Sequence, residues 1–162
     1  MAIHKLHLDE FDETNYQLIA IHTSLEDYRL AYFINQKLPI VLSKCKNDIQ
    51  IQLKNGETQF VNYVYEDKIK DIQWNLIQNK NEITPKIKLG NQGLFAETSN
   101  NFITKVFLLP EFKKVDYFLK IENLYNSFEN NELTTILNSI ERISTVYFIN
   151  VENIKSKNNL IF

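Results

Sequence analysis

Glycine and proline are scarce in this chain, with three of each in 162 residues, and cysteine occurs once, at Cys45. So few backbone breakers leave few obvious breaks along the chain. One cysteine excludes an intramolecular disulfide and a multi-cysteine zinc site. Cys45 is therefore expected as a reduced, inert thiol in a cytoplasmic protein. Arginine is nearly missing, present only as Arg29 and Arg142, and the 18 basic residues are outnumbered by 20 acidic ones. Neither a broad positive field nor a set of bidentate forks is available, which argues against a nucleic-acid partner. No apolar run approaches the ~20 residues that cross a bilayer. The opening MAIHKLHLDEFDE lacks the pattern of a signal peptide. No membrane span is expected.

Packing material is abundant. Hydrophobic residues make up 44% of the chain, with eleven Phe and eight Tyr among them. That content and length suit one globular domain over residues 1–162.

Periodicity supplies the elements. A short strand is expected at Ile3–Leu8 and another at Tyr16–Ile21. Thr23 or Ser24 is positioned to cap a helix from about Leu25 to Asn35, with Glu26 three residues after Thr23 and Pro39 beyond its end. Strands follow at Ile40–Leu42, Ile49–Leu53, Phe60–Tyr65 and Ile72–Ile77, with a tight turn at Asn55-Gly56. In the last of these, Ile72, Trp74 and Leu76 share a face while Gln73 and Asn75 take the other, as in a half-buried antiparallel sheet. Residues 79–101 are weakly patterned, with short edge strands at most. Phe102–Leu109 and Val115–Ile121 read as strong strands. Asn131 is positioned to cap a helix whose Leu133, Ile136, Leu137 and Ile140 recur on one face, and Thr145–Val151 reads as extended. The predicted fold is α+β: a single domain with a mixed or antiparallel sheet covered by two principal helices. Leu160, Ile161 and Phe162 follow a polar stretch and predict a docked C-terminal tail.

Candidate chemistry is sparse. His22, Glu26, Asp27 and Arg29 form the richest polar constellation, at a strand-to-helix connection where functional groups often gather. His22 is a candidate base that Glu26 or Asp27 would orient; capping and ion pairing are the structural alternatives. Tyr28 and Tyr32 sit one helical turn apart, suited to packing on the sheet or to lining a groove for a partner. His4 and His7 would point to opposite faces of a strand, so no metal site is predicted, and no nucleotide-binding or nucleophile-elbow motif implies a cofactor.

One stretch carries a different kind of signal. Leu109-Pro110-Glu111-Phe112-Lys113-Lys114-Val115-Asp116-Tyr117 closely resembles the signature of the bacterial IPExxxVDY family, found characteristically in Bacteroidota. Pro110, Glu111, Val115, Asp116 and Tyr117 match its fixed elements, and Leu109 replaces its first Ile. The HKL near the start, HTSLEDYRLAYF and the ending KSKNNLIF after Ile154 are also similar to that family. The resemblance implies no reaction, cofactor or catalytic set. From the residues themselves, Pro110 shapes a turn into a core strand, with Val115 and Tyr117 on one side and Asp116 on the other. Pro110, Glu111, Asp116 and Tyr117 are the candidate interaction motif, for a protein or a small anion. The chain thus reads as a noncatalytic intracellular interaction or regulatory protein with a protein partner. The alternative is a small-molecule-binding protein or hydrolase using the His22–Arg29 edge.

Overall fold

The computed structural model describes residues 15–53, 56–83, 103–124 and 130–162. The strand expected at Ile3–Leu8, the edge strands within 87–96, and His4 and His7 lie outside these residues.

Strand β1 (Tyr16–Thr23) shows why the sheet is buried on both sides. Its Leu18, Ile19, Ala20 and Ile21 are all fully buried, and successive side chains of a strand point to opposite faces. An unbroken apolar run therefore requires cover on each face. β1 sits between β10 (Ile143–Ile149) and β9 (Tyr117–Glu122), and β6 (Ile72–Gln78), β5 (Asn62–Asp67) and the two-residue β2 (Ser43–Lys44) extend the sheet in that order. Every neighbouring pair is antiparallel, so the sheet is antiparallel and not mixed.

Two helices, α1 (Asp27–Lys37) and α2 (Asn130–Asn138), contribute to the cluster on one face. Leu30, Ala31 and Ile34 of α1 and Leu133 and Leu137 of α2 join Ile19, Ile21, Trp74, Leu76, Leu119 and Ile121 there. On the opposite face, Leu18, Ala20, Ile77 and Phe118 meet Leu108, Leu109, Ile154 and Leu160. Ile49 and Phe60 reach the same cluster from a separate hairpin, β3 (Ile49–Leu53) with β4 (Gly56–Phe60). A second ribbon pairs β7 (Lys80–Ile83) with β8 (Thr104–Phe107).

Several sequence expectations shift for local reasons. Glu26, not Thr23 or Ser24, is the N-cap of α1, and its side chain makes no capping bond. The Thr23 hydroxyl instead accepts from Leu25 N–H at 3.1 Å and donates to the Arg142 carbonyl at 2.8 Å. Leu38 ends α1 by donating its N–H to the Ile34 carbonyl, just before Pro39. Ile40–Leu42 does not pair as a strand, because the Asn35 amide takes both the N–H and the carbonyl of Leu42. Phe60–Tyr65 divides at Val61: β4 belongs to the hairpin and β5 to the main sheet. Gly56 opens β4 with φ +144, a conformation L side chains rarely adopt, so the paired strand already begins at the second residue of the expected Asn55-Gly56 turn. Asn131 lies inside α2. Strand β10 starts at Ile143 and gives way to a 3-10 turn at Val151–Asn153.

Candidate functional site

A single side chain organises the signature stretch. Asn79, just after β6, is fully buried. Its amide nitrogen donates to the carbonyls of Phe112 and Val115, both at 2.9 Å, and its side-chain oxygen accepts from Leu109 N–H at 3.0 Å. Its own backbone completes the clamp, donating to the Asp116 carbonyl and accepting from Leu108 N–H. This arrangement ends β8 at Phe107, two residues short of the expected Phe102–Leu109 strand, and shapes the 3-10 turn at Pro110–Phe112. It also places Val115 before β9 begins. Val115 packs with Leu108 on one face of the sheet while Tyr117 packs on the helix-bearing face, so the two do not project to the same side.

Each polar member of the motif is engaged within the chain. Glu111 accepts from the N–H groups of Lys155 and Ser156 at 2.8 and 2.9 Å and from the Ser156 hydroxyl at 3.0 Å. Burial opposes ionisation of this carboxylate, but these hydrogen bonds outweigh it and hold its pKa below the usual range. Asp116 accepts from Thr23 N–H at 2.9 Å and pairs with Lys80 at 2.6 Å. The Tyr117 phenol donates to the Leu25 carbonyl at 3.0 Å, and its pKa is raised by burial and then by the nearby Asp27.

The members of the His22 constellation take separate partners. His22 stacks on Tyr147 with ring centroids 5.6 Å apart, and its Nε2 lies 3.4 Å from the Tyr147 hydroxyl. Glu26 accepts from the Tyr28 hydroxyl at 2.6 Å, and Asp27 from the Tyr63 hydroxyl at 3.3 Å. Burial first, then Asp27, pushes the Tyr63 phenol up to about 12. Arg29 is exposed, as are Tyr28 and Tyr32. Tyr147 lines a cavity of about 460 Å³ along Pro110–Val115 that none of His22, Glu26, Asp27 and Arg29 borders. Among the described residues no cluster of three or more His, Cys, Asp or Glu could hold a metal, and no helix is long and apolar enough to cross a membrane.

A larger groove, of about 620 Å³, opens on the sheet face opposite the helices. Its floor is Asn62, Val64, Gln73 and Asn75 of β5 and β6, one wall is 47–52 including β3, and the other is the segment that contains Asn158, Asn159, Ile161 and Phe162. The floor is unusual in its chemistry. Asn62 and Asn75 are buried, and the Asn75 amide donates to Asn62 Oδ1 at 3.3 Å while accepting from Gln73 Nε2 at 2.9 Å. Next to Asn75 in register is Lys120 of β9, also buried. Lys120 is ion-paired with Glu122, donates to the Leu160 carbonyl at 2.8 Å, and lies 4.8 Å from the centre of the Phe162 ring. Cys45 borders the groove, and burial, with Asp48, raises its thiol pKa, opposing a nucleophilic thiolate.

Sequence reasoning passed over Asn79, Asn62 and Asn75. The alternation in Ile72–Ile77 assigned Asn75 to an open face, yet it is 1% exposed, because the hairpin and the 158–162 segment lie over that side. No family model, curated relative or solved structure matches the chain.

Proposed function

We propose that this chain is a noncatalytic, cytoplasmic interaction or regulatory domain of the IPExxxVDY type, binding a protein partner through the groove between β3, the sheet and the 158–162 segment. The observation that carries this reading is the contrast between two sets of polar groups. Glu111, Asp116 and Tyr117 are spent on bonds that tie distant segments of the chain together, whereas Asn62, Gln73 and Asn75 line a groove and bond one another in a row along its floor. Buried polar groups are costly unless satisfied, and an amide floor under a groove offers paired donors and acceptors to a guest. The groove holds no paired acid and base, and its one thiol is driven away from the thiolate form.

Affinity purification of the full chain, with mass spectrometry for retained proteins and small molecules, tests this reading. A stoichiometric protein retained by the wild type and lost from an Asn62→Leu/Asn75→Leu variant supports it. A retained metabolite without a protein partner overturns it. The second reading, a small-molecule-binding protein or hydrolase at the His22–Arg29 edge, has one favourable observation: His22 stacks on Tyr147, which borders the smaller cavity. Loss of a retained metabolite in folded His22→Gln supports that reading.

A further inference from the structure

The six consecutive residues Asn47–Gln52 all border the larger groove. Four of them, Ile49–Gln52, lie in β3; a strand presents alternate side chains to opposite faces, so an unbroken series borders one cavity where that cavity runs along the strand's edge. The other edge of β3 is occupied by β4. In an antiparallel pair, the peptide groups that do not bond the neighbour point away from it, and no strand among the described residues pairs with that side of β3. Exposed edges are normally guarded by Lys, Pro or an inward charge, yet Ile49–Leu53 reads IQIQL, with neither charge nor proline.

We infer that the groove takes one uncharged, extended peptide of about six residues, the length of the lining segment, added as a third strand to the edge of β3 that no described strand occupies. The inference rests on the reading of this groove as a partner-binding surface. Strand addition supplies affinity from main-chain hydrogen bonds and specificity from the pockets that meet alternate side chains. Asn62 accepts through its Oδ1, leaving its amide hydrogens for a guest carbonyl or side-chain amide. Asp48 is the one charged side chain on the lining, so the site favours amide and hydroxyl side chains and gives an anionic peptide no counter-charge. The 158–162 wall faces β3 across the groove.

A phage-displayed random decapeptide library, selected on the full chain and in parallel on Gln50→Lys and Asn62→Leu/Asn75→Leu, tests the inference. Gln50 is exposed, so its lysine variant guards the edge even if the double variant fails to fold. Enriched peptides are then synthesised with N-methyl groups on alternate amides. The expected result is uncharged sequences whose affinity falls roughly tenfold or more with one methylation phase and little with the other, the size of one or two lost hydrogen bonds. Equal response to both phases, or no enrichment beyond that on Gln50→Lys, overturns strand addition. If that happens while the groove variants still lose a protein retained by the wild type, the partner-binding reading survives alone; if they keep it, both fall. Self-association of the wild type, abolished by Gln50→Lys, would make a second copy the occupant and also overturn the peptide assignment.

Discussion

Glu111 holds Ser156 at two points, accepting from its N–H at 2.9 Å and its hydroxyl at 3.0 Å across 45 residues of sequence. The carboxylate in the signature turn thereby fixes the segment that walls the groove. Glu111→Gln keeps one acceptor oxygen but loses the charge. Because the site is exposed, the expected cost is modest, about 1 kcal/mol. Hydrogen exchange should show the loss concentrated at Lys155 and Ser156, with β1 and β9 unchanged.

The same carboxylate sets an acid response. Its folded pKa lies below the ordinary glutamate value, so its contribution is complete above the unfolded pKa, about 4.3, and disappears as pH falls through the lower folded pKa. Protection at Lys155 and Ser156 should fade in that acid window for the wild type. Glu111→Gln should show no corresponding step; an identical step in the variant would assign the effect to another group.

Asn79 should be far less replaceable than its lone position suggests. Asn79→Ala strips partners from the Leu109 N–H and the Val115 carbonyl in a buried site, while the Phe112 carbonyl keeps the Val115 N–H. Unsatisfied buried groups cost about 1–3 kcal/mol each before relaxation, so a loss on the order of 3 kcal/mol is expected in urea unfolding. A loss below about 0.5 kcal/mol, the usual scale of neutral surface changes, would contradict the clamp.

Period and polarity made β1, β6, β9 and both helices legible in the sequence, because each carries its own apolar pattern over two or more turns or alternations. Long-range polar bonds carry no such pattern. Nothing local distinguishes Asn79, which fastens a loop thirty and more residues away, from an ordinary turn asparagine. Asn75 alternates with Trp74 and Leu76 as a solvent-facing residue would, and only the tertiary placement of the hairpin and the 158–162 segment buries it. Likewise, Thr23 has the residue type and spacing of a cap, but α1 starts only at Asp27 with Glu26 at its N-cap, so the Thr23 hydroxyl meets the N–H of Leu25, ahead of the helix.

Thr23 and Ser24 can therefore be separated. Thr23→Val removes bonds to Leu25 and Arg142 and should cost about 1 kcal/mol. Ser24 is exposed, and Ser24→Ala should stay within about 0.5 kcal/mol. Equal costs in chemical denaturation would restore a shared capping role.

The final three residues should differ sharply from one another. Leu160 is 1% exposed and packs with Leu18, Phe118 and Ile154, whereas Ile161 is 76% exposed. Truncating a fully buried leucine removes its transfer free energy and leaves a cavity, so Leu160→Ala should cost about 2–5 kcal/mol, towards the low end if the 157–162 segment relaxes into the space. Ile161→Ala has little burial to lose and should stay within about 0.5 kcal/mol. Phe162 falls between them: it is half-exposed, and its ring faces the Lys120 ammonium at 4.8 Å, an interaction on the order of 0.5–1 kcal/mol at an open site. Phe162→Leu keeps apolar area but removes the ring quadrupole, so it should lose only that increment. Urea unfolding of the three variants checks the order Leu160, Phe162, Ile161. If Leu160→Ala and Ile161→Ala prove equally mild, Leu160 is not seated in the core and the groove loses the anchor of its far wall.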